Sequence, residues 1–344
     1  MNILNKIINP FAKLGNYIQQ NDEALQAVVG RSFFNNQWFT HENQRLALNA
    51  IATEMLDAEK LKNWLSTYNL TENTVFDASK SKKVGVIMAG NLPLVGFHDF
   101  LCVLAAGHSV FVKLSEKDPY LLPFLATKLI EIDAYFADKI QFVEQMRHID
   151  AIIATGSNNT SRYFEQYFAK YPNIIRKSRT SVAVLDGTET EEELHKLGVD
   201  VFRYFGLGCR NVSKIFVPRN YDFNLLLEKL HDFNFLALHN KYKNNFDYNF
   251  TLVILNGKHH LNNGCVLMIE DEQLHSRIAM LHYEFYDEIA AVTAKLTLQT
   301  TDLQCIVSKN SLDDLIITPF GKTQEPTLFE YADGIDTMRF LGDL

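Results

Sequence analysis

The sequence is short of the features that mark membrane-spanning and secreted proteins. Asn, Pro, His or Lys interrupts each apolar stretch within roughly ten residues, so none approaches the about 20 residues that cross a bilayer. The N-terminal segment has no continuous apolar core and no small-residue cleavage site, so we expect no secretory signal. These absences predict a cytoplasmic protein with no membrane span.

Cysteine is scarce and scattered. The 344 residues contain four cysteines, at positions 102, 209, 265 and 305, and no CxxC pair. This spacing predicts free thiols in a reducing compartment and argues against a disulfide framework or a structural zinc site.

Positive charge is also in deficit. Lys and Arg total 33 against 41 for Asp and Glu, which gives a formal net charge of −8. A net field of this sign disfavours nucleic acid and anionic membranes as partners. The remaining composition, with 47% hydrophobic and 22% charged residues, is that of an ordinary globular protein of about two domains.

The hydrophobic pattern divides the chain into a helical start and two α/β parts. Residues 1 to about 80 place apolar side chains at helical spacing, with Thr40 and Asp57 as predicted N-caps. The polar segment 71–83 leads into alternating strands and helices, which indicate a doubly wound, mainly parallel sheet. The predicted strands are 84–90, 109–115, 150–156 and 180–187, followed in a second lobe by 214–220, 249–256, 264–270, 277–286 and 303–308.

The first candidate for chemistry is Cys209, in the segment FGLGCRNVSKIFV. Glycines ahead of it allow a sharp turn or a close approach to a ligand, and Arg210 and Lys214 are expected to favour the nucleophilic thiolate. The alternative is a buried structural thiol, because free cysteine is among the most buried residue types.

The second candidate is Asn91, in the turn AGNLP after the first predicted strand. Ligands bind at the carboxyl ends of parallel strands, and an amide N–H₂ there can stabilise an oxyanion. The alternative is an Asn that only shapes the turn before Pro93.

The third candidate is the segment ATGSNN, where a strand ends and a helix begins. Amides at a helix N-terminus attract phosphate, and Ser157 adds a hydroxyl; alternatively, Ser157 or Asn158 only caps the helix. The basic cluster Arg176, Lys177 and Arg179 is either a solvated segment or a site for a phosphorylated cofactor or coenzyme A.

Together these motifs resemble one superfamily. Residues 89–119 are similar to the aldehyde dehydrogenase segment with its Asn turn and its lysine–x–serine–glutamate strand end. The ATGS turn at 154–157 resembles the turn at the cofactor pyrophosphate, and FGLGC at 205–209 resembles the glycine-flanked catalytic cysteine. Their order and approximate spacing agree over 84–218. Within the superfamily, the chain is most similar to the fatty acyl-CoA reductases of bacterial bioluminescence systems and their shorter relatives, including the tail 319–341.

This resemblance implies an aldehyde-dehydrogenase-like α/β fold with two lobes and an N-terminal helical segment. It implies N-terminal helices over 1–83, a doubly wound nicotinamide-cofactor domain over 84–205, and a catalytic domain with the C-terminal tail over 206–344.

The resemblance also implies roles for individual residues. Cys209 takes the position of the nucleophile, and Asn91 that of the oxyanion amide, with the Cys209 backbone N–H as second donor. Lys113, Ser115 and Glu116 take the position that holds the adenosine ribose or its 2′-phosphate, and Thr155, Gly156 and Ser157 take that of the pyrophosphate.

Three departures from the superfamily pattern stand out. Leu114 replaces the usual proline, and Ser161 replaces a glycine, which puts the fit of the pyrophosphate in doubt. The motif that supplies the water-activating glutamate in aldehyde oxidisers aligns with residues 175–178, which contain no carboxylate.

The function implied by the resemblance is a cytoplasmic acyl-CoA or acyl-thioester reductase that forms a fatty aldehyde through an acyl-cysteine. NADPH is the expected cofactor, with NADH as the other choice, and no metal is expected. The expected partners are an acyl-CoA or acyl-carrier substrate, an acyl-protein synthetase and further copies of the chain in a homo-oligomer. One alternative is an acyl-transfer or acyl-carrying protein without hydride chemistry, and another is a scaffold that has lost catalysis.

Overall fold

The computed structural model describes residues 3–68, 70 and 79–344. Its internal contacts divide the chain into two compact units. The first unit comprises Met1–Ser178 together with Pro326–Leu344, and the second comprises Arg179–Glu325. The second unit is therefore an insertion in the sequence of the first.

The N-terminal part is helical, as predicted. Its elements are α1 (Ile3–Gln20), α2 (Glu23–Asn35), α3 (His41–Ala50), a π-helical turn (Ile51–Met55) and α4 (Ala58–Leu65). Thr40 caps α3 and Asp57 caps α4 through side-chain oxygens that accept backbone amides, which confirms both predicted caps. Residues 71–78 of the predicted connector lie outside the described residues.

The first unit contains a parallel sheet of five strands in the described part of the chain, in the order β3-β2-β1-β4-β5. The strands are β1 (Lys83–Ile87), β2 (Ser109–Lys113), β3 (Ile140–Phe142), β4 (Ala151–Thr155) and β5 (Asn173–Arg176). The helices among them are α5 (Phe97–Ala105), α6 (Leu121–Ile132) and α7 (Asn158–Tyr167). The strand order reverses at β1, which makes the carboxyl ends of β1, β2 and β4 the expected place for a ligand.

The second unit is built on its own sheet, which has seven strands among the described residues, in the order β12-β11-β6-β7-β10-β9-β8. The strands are β6 (Thr180–Val184), β7 (Val212–Pro218), β8 (Leu261–Asn262), β9 (Leu267–Glu270), β10 (Met280–Tyr286), β11 (Leu303–Ser308) and β12 (Ile317–Thr318). The helices are α8 (Glu191–Phe202), α9 (Asn224–His231), α10 (Asn240–Leu255) and α11 (Ile289–Leu298). The tail of the first unit ends in α12 (Thr337–Gly342).

One predicted strand is wrong. Residues 249–255 form the end of α10 and Asn256 is its C-cap, and Tyr242, Phe246, Asn249 and Val253 are buried at helical spacing. The apolar run resembles a strand, but the inward-facing residues recur every three to four positions. The short strands β3 and β5 are not predicted from the sequence.

The compact units and the predicted domains divide the chain at different places. The structure divides after Ser178, whereas the prediction puts the boundary after 205. The reason is that β6 pairs with β7 and β11 in the second sheet. The assignment of cofactor binding and catalysis to separate parts of the chain stays a prediction.

Candidate active site

The turn after β1, which holds Asn91, lies against the loop after β2. The Met88 amide donates to the Lys113 carbonyl at 3.1 Å. A Cβ atom on Gly90 would lie 2.3 Å from Ser115 Oγ, so only glycine permits this close approach. The structure therefore brings the predicted oxyanion turn and the predicted ribose-binding loop together.

Asp118 anchors the same turn through a hydrogen bond to its backbone. Its Oδ2 accepts the Leu94 amide at 2.7 Å, and Leu94 has a left-handed φ of 59°. Asp118 is buried and its Oδ1 has no hydrogen-bond partner, so burial raises the pKa of this carboxyl to about 6. Sequence reasoning does not single out Asp118, for which an Asp-Pro pair ahead of a helix is the available signal.

The end of α2 supports the loop after β2. Asn35 Nδ2 donates to the Glu116 carbonyl at 3.0 Å, and Asn36 Nδ2 donates to the Lys117 carbonyl at 3.4 Å. These contacts join residues 81 positions apart, so nothing in the local sequence signals them. The Lys113 side chain is exposed just ahead of this loop.

At the end of β4, Ser157 caps α7. Its Oγ accepts the Thr160 amide at 3.3 Å, which confirms the capping role weighed from the sequence. The Gly156 amide donates to the Arg176 carbonyl at 3.2 Å. Ser157 is exposed, so capping leaves its outer side open to a ligand.

A groove runs beside these strand ends in the first unit. It has a volume of about 550 Å³. Its lining includes Ile87 and Lys113 from the strand ends and Tyr163 and Tyr167 from α7. The two tyrosines are 72% and 67% exposed, so their rings are accessible in the groove.

Residues 175–178, which align with the glutamate motif of aldehyde oxidisers, are held in the first unit by contacts of Arg176. Arg176 is buried, and its guanidinium pairs with Asp99 at 2.6 Å. It also donates to Thr337 Oγ1 at 3.0 Å and to the Ala332 carbonyl. The suggestion that Arg176 helps to bind a phosphorylated cofactor is therefore wrong, because the side chain is committed to Asp99 and the C-terminal tail.

Cys209 stands apart from the other cysteines. All four lie in the described part of the chain, and Cys209 is exposed while Cys102, Cys265 and Cys305 are buried. It sits in the connection between α8 and β7, and Ser181 Oγ donates to its carbonyl at 2.9 Å. The alternative of a buried structural thiol is wrong for Cys209.

The two cations expected to favour the Cys209 thiolate are engaged with other groups. Lys214 is buried on β7, where its ammonium pairs with Glu284 and donates to the Glu272 carbonyl at 2.9 Å. Arg210 Nη1 lies 3.4 Å from Cys305 Sγ. The Lys214 ammonium is therefore engaged by Glu284, a pairing that sequence proximity alone does not reveal.

The predicted site residues divide between the two units. Six cofactor-binding candidates and Asn91 lie at the carboxyl edge of the first sheet, namely Lys113, Ser115, Glu116, Thr155, Gly156 and Ser157. Cys209 lies in the second unit. Among the described residues, no group of three or more His, Cys, Asp or Glu side chains is placed to hold a metal ion.

The predicted site residues all lie within a segment that matches a known protein family. A model of the acyl-CoA reductase (LuxC) family matches residues 8–229 of the 344, well over half of the chain. The chain belongs to the acyl-CoA reductase (LuxC) family. The resemblance to fatty acyl-CoA reductases is thereby confirmed.

One curated relative is the long-chain acyl-protein thioester reductase of Photorhabdus laumondii subsp. laumondii. It is 24% identical over 163 residues, which cover 42% of this chain and 34% of the relative. The match thus spans about a third of the length of that relative.

Solved structures of aldehyde dehydrogenases share the fold. The enzyme from Brucella melitensis biovar abortus 2308 superimposes with a TM-score of 0.67 at 13% identity, covering 92% of this chain and 77% of that one. The NAD⁺ complex of the Bacillus cereus enzyme gives 0.59 at 15% identity, covering 89% and 72%. These likenesses confirm an aldehyde-dehydrogenase-like fold for this LuxC-family chain. No helix in the described part is long and apolar enough to span a membrane.

Proposed function

We propose that this protein reduces acyl thioesters to aldehydes through an acyl-cysteine formed on Cys209. The observation that carries the proposal is the exposure of Cys209 in a LuxC-family chain whose three other cysteines are buried. A nucleophile must reach its substrate, and burial removes Cys102, Cys265 and Cys305 from consideration.

In this scheme the Cys209 thiolate attacks the carbonyl carbon of the thioester and a carbon–sulfur bond forms. The carbonyl oxygen becomes an oxyanion, which the Asn91 amide and the Cys209 backbone N–H stabilise. The original carbon–sulfur bond then breaks, the thiolate of coenzyme A or of a carrier protein leaves, and the acyl group stays on Cys209.

The residues of the first unit fit the adenosine half of a nicotinamide cofactor. The groove beside Lys113 offers aromatic walls, and Gly90 lets the turn after β1 approach Ser115 closely at the strand ends. Ser115, Glu116 and the turn 155–157 complete the set that would hold ribose and phosphates. When bound, the cofactor supplies the hydride that converts the acyl group to the aldehyde. Cys209 leaves as the thiolate in that step and is ready for the next turnover.

NADPH is our choice over NADH, and its support is Lys113. This exposed ammonium lines the groove, and it would form a charge-assisted bond with a 2′-phosphate bound there. Lys177 adds little, because it pairs with Glu165 at 2.9 Å.

The substrate carrier is proposed from the relative. Its name says that it acts on a long-chain acyl group held on a protein. We propose the same class here, with an acyl-protein synthetase as the donor, alongside acyl-CoA itself. A homo-oligomer stays part of the proposal.

Intact-mass spectrometry with a panel of acyl-CoAs tests the function. The wild-type protein should gain one acyl mass, and addition of NADPH should remove that mass and release the aldehyde. Cys209→Ala should gain no mass, whereas Cys265→Ala, in the same unit, should behave as wild type.

The outcomes separate the alternatives. An acyl mass that NADPH and NADH both fail to remove, but that a second thiol accepts, would identify an acyl-transfer protein. Acylation of any cysteine other than Cys209 would overturn the proposed site.

A further inference from the structure

The connection that carries Cys209 has an uncommon backbone. After α8 ends at Phe202, Tyr204, Phe205 and Gly206 have φ values of 56°, 60° and 73°. The left-handed region is disfavoured for residues with a Cβ atom, so two such residues in a row must be held by their surroundings. Contacts with neighbouring elements must therefore fix the conformation of this loop.

Asn211 is buried at the other end of this loop and clamps it to α8. Its Nδ2 donates to the carbonyls of Arg203 at 2.8 Å, Asp200 at 3.0 Å and Val201 at 3.3 Å. These carbonyls belong to the last turn of the helix and the residue after it, where backbone acceptors lack helical partners. Its Oδ1 accepts the amide of Gly208, the residue before Cys209, at 2.8 Å.

Only a side-chain amide can make this set of contacts. The arrangement needs two N–H donors toward the helix end and one acceptor toward Gly208 at the same time. Aspartate lacks the donors and would place negative charge against three carbonyl oxygens. Alanine would leave buried backbone groups without partners, which is costly.

Ser181 holds the same loop from the sheet side. Its Oγ donates to the Cys209 carbonyl at 2.9 Å and accepts the Cys305 amide at 3.1 Å. Ser181 is fully buried on β6. The backbone is therefore held on both sides of the Cys209 Cα. Asn211 holds it at the Gly208 amide, and Ser181 holds it at the Cys209 carbonyl.

We propose that Asn211, with Ser181, is a positioning residue that sets where the Cys209 thiol stands for attack on the thioester. The inference rests on the proposed function and deepens it. Asn211 acts through the loop and does not touch substrate. Misplacing a reacting group by about 1 Å can cost on the order of 10²-fold in rate.

The test measures acylation of Cys209 at varied thioester concentration, by intact mass, in Asn211→Ala and Ser181→Ala. We expect the saturating rate of acylation to fall by about 10–100-fold in Asn211→Ala with the half-saturating concentration within about threefold. Alkylation of Cys209 by iodoacetamide should stay within about threefold of wild type, because a small neutral reagent needs an exposed thiol and no orientation.

The matched control is Asn249→Ala. Asn249 is also a buried amide of the second unit, and its Nδ2 donates to the Ile278 carbonyl at 2.9 Å. It should lose stability without any change in acylation. Ser181→Ala keeps the proposal testable if Asn211→Ala does not fold, and it should lower the saturating rate in the same direction.

Hydrogen exchange of the backbone amides over 204–210 separates the two proposals. If wild type is not acylated at all, the proposed function fails, and faster exchange of this loop in Asn211→Ala still supports the clamp. Unchanged exchange, or wild-type acylation by both Asn211→Ala and Ser181→Ala, would overturn the positioning role.

Discussion

At the scale of single residues, burial decides which cysteine can react. Burial raises the pKa of the Cys102 thiol well above its usual range and that of Cys265 to about 12, so neither forms a thiolate near neutral pH. Cys305 is also buried, and its Sγ lies 3.4 Å from Arg210 Nη1. The exposure of Cys209 therefore carries more weight than the neighbouring Lys214 charge, which pairs with Glu284.

Asn91 yields a prediction at the same scale. Removing one oxyanion donor typically costs about 10²–10³-fold in rate. Asn91→Ala should therefore slow acylation of Cys209 by that order, as measured by intact mass over time. NADPH affinity, measured by fluorescence titration, should change little, because Asn91 is not among the residues proposed to hold the cofactor.

Asn91→Asp is the control for shape. It keeps the size of the side chain but has no N–H donor and adds a negative charge, so it should be at least as slow as Asn91→Ala. If both variants acylate at the wild-type rate, Asn91 only shapes the turn before Pro93.

The sequence singles out the residues proposed to react but not the contacts that support the fold around them. Cys209 and Asn91 stand in short motifs whose chemistry is local. Arg176 is different, because its partners Asp99 and Thr337 lie 77 and 161 positions away. A local motif cannot reveal such contacts, which depend on the completed fold.

At the scale of elements, periodicity predicts most of the strands and fails where two patterns compete. The end of α10 is rich in β-branched and apolar residues, yet its buried side chains follow the helix. The short strands β3 and β5 lie at the two edges of the first sheet, where few residues are needed and the signal is weak. The sheet to which β6 belongs depends on pairing, which local sequence does not encode.

The Arg176–Asp99 ion pair joins three elements of the first unit, and its removal should be costly. It connects β5 with α5, and Arg176 also bonds the tail at Ala332 and at Thr337, the first residue of α12. Both side chains of the pair are at most one-tenth exposed. Breaking a buried pair by removing one partner costs about 3–5 kcal/mol. Asp99→Ala should therefore lower the free energy of unfolding by that amount.

Tryptophan fluorescence during urea unfolding can measure this loss selectively. Trp38 and Trp64 are the two tryptophans of the sequence, and both belong to the first unit. The control is Lys177→Ala, because the exposed Lys177–Glu165 pair should contribute about 1 kcal/mol or less. Equal losses for Asp99→Ala and Lys177→Ala would mean that the buried pair does not hold the tail.

At the scale of the whole molecule, the chain order makes the first unit depend on both ends of the sequence. Leu328, Tyr331, Met338 and Leu341 from the tail are buried in the same hydrophobic cluster as Trp64 from α4. Tyr331 also accepts a hydrogen bond from Trp64 Nε1 at 2.7 Å. The tail therefore completes the core of the unit that is proposed to bind the cofactor.

The proposal that the protein reduces thioesters, and does not oxidise aldehydes, is supported by the lack of a carboxylate in residues 175–178. An aldehyde oxidiser must hydrolyse its acyl-enzyme, and a positioned base typically contributes about 10²–10⁴-fold to such a step. Residues 175–178 contain no carboxylate, and the Asp99 carboxylate is neutralised by Arg176. Water should then be a poor acceptor, and acyl-Cys209 should persist until hydride or a second thiol arrives.

We therefore predict little free acid when the protein is given aldehyde and oxidised cofactor without coenzyme A, and thioester when coenzyme A is added. Without reduced cofactor, acyl-Cys209 formed from acyl-CoA should be long-lived in intact-mass measurements, because residues 175–178, which align with the base-supplying motif of aldehyde oxidisers, contain no carboxylate. The decisive quantity is the rate of free-acid production from aldehyde without coenzyme A. Fast acid release would show that another carboxylate serves as the base. The exposed Glu272 of the second unit is the side chain to test first, and loss of that acid release in Glu272→Gln would assign the protein to aldehyde oxidation.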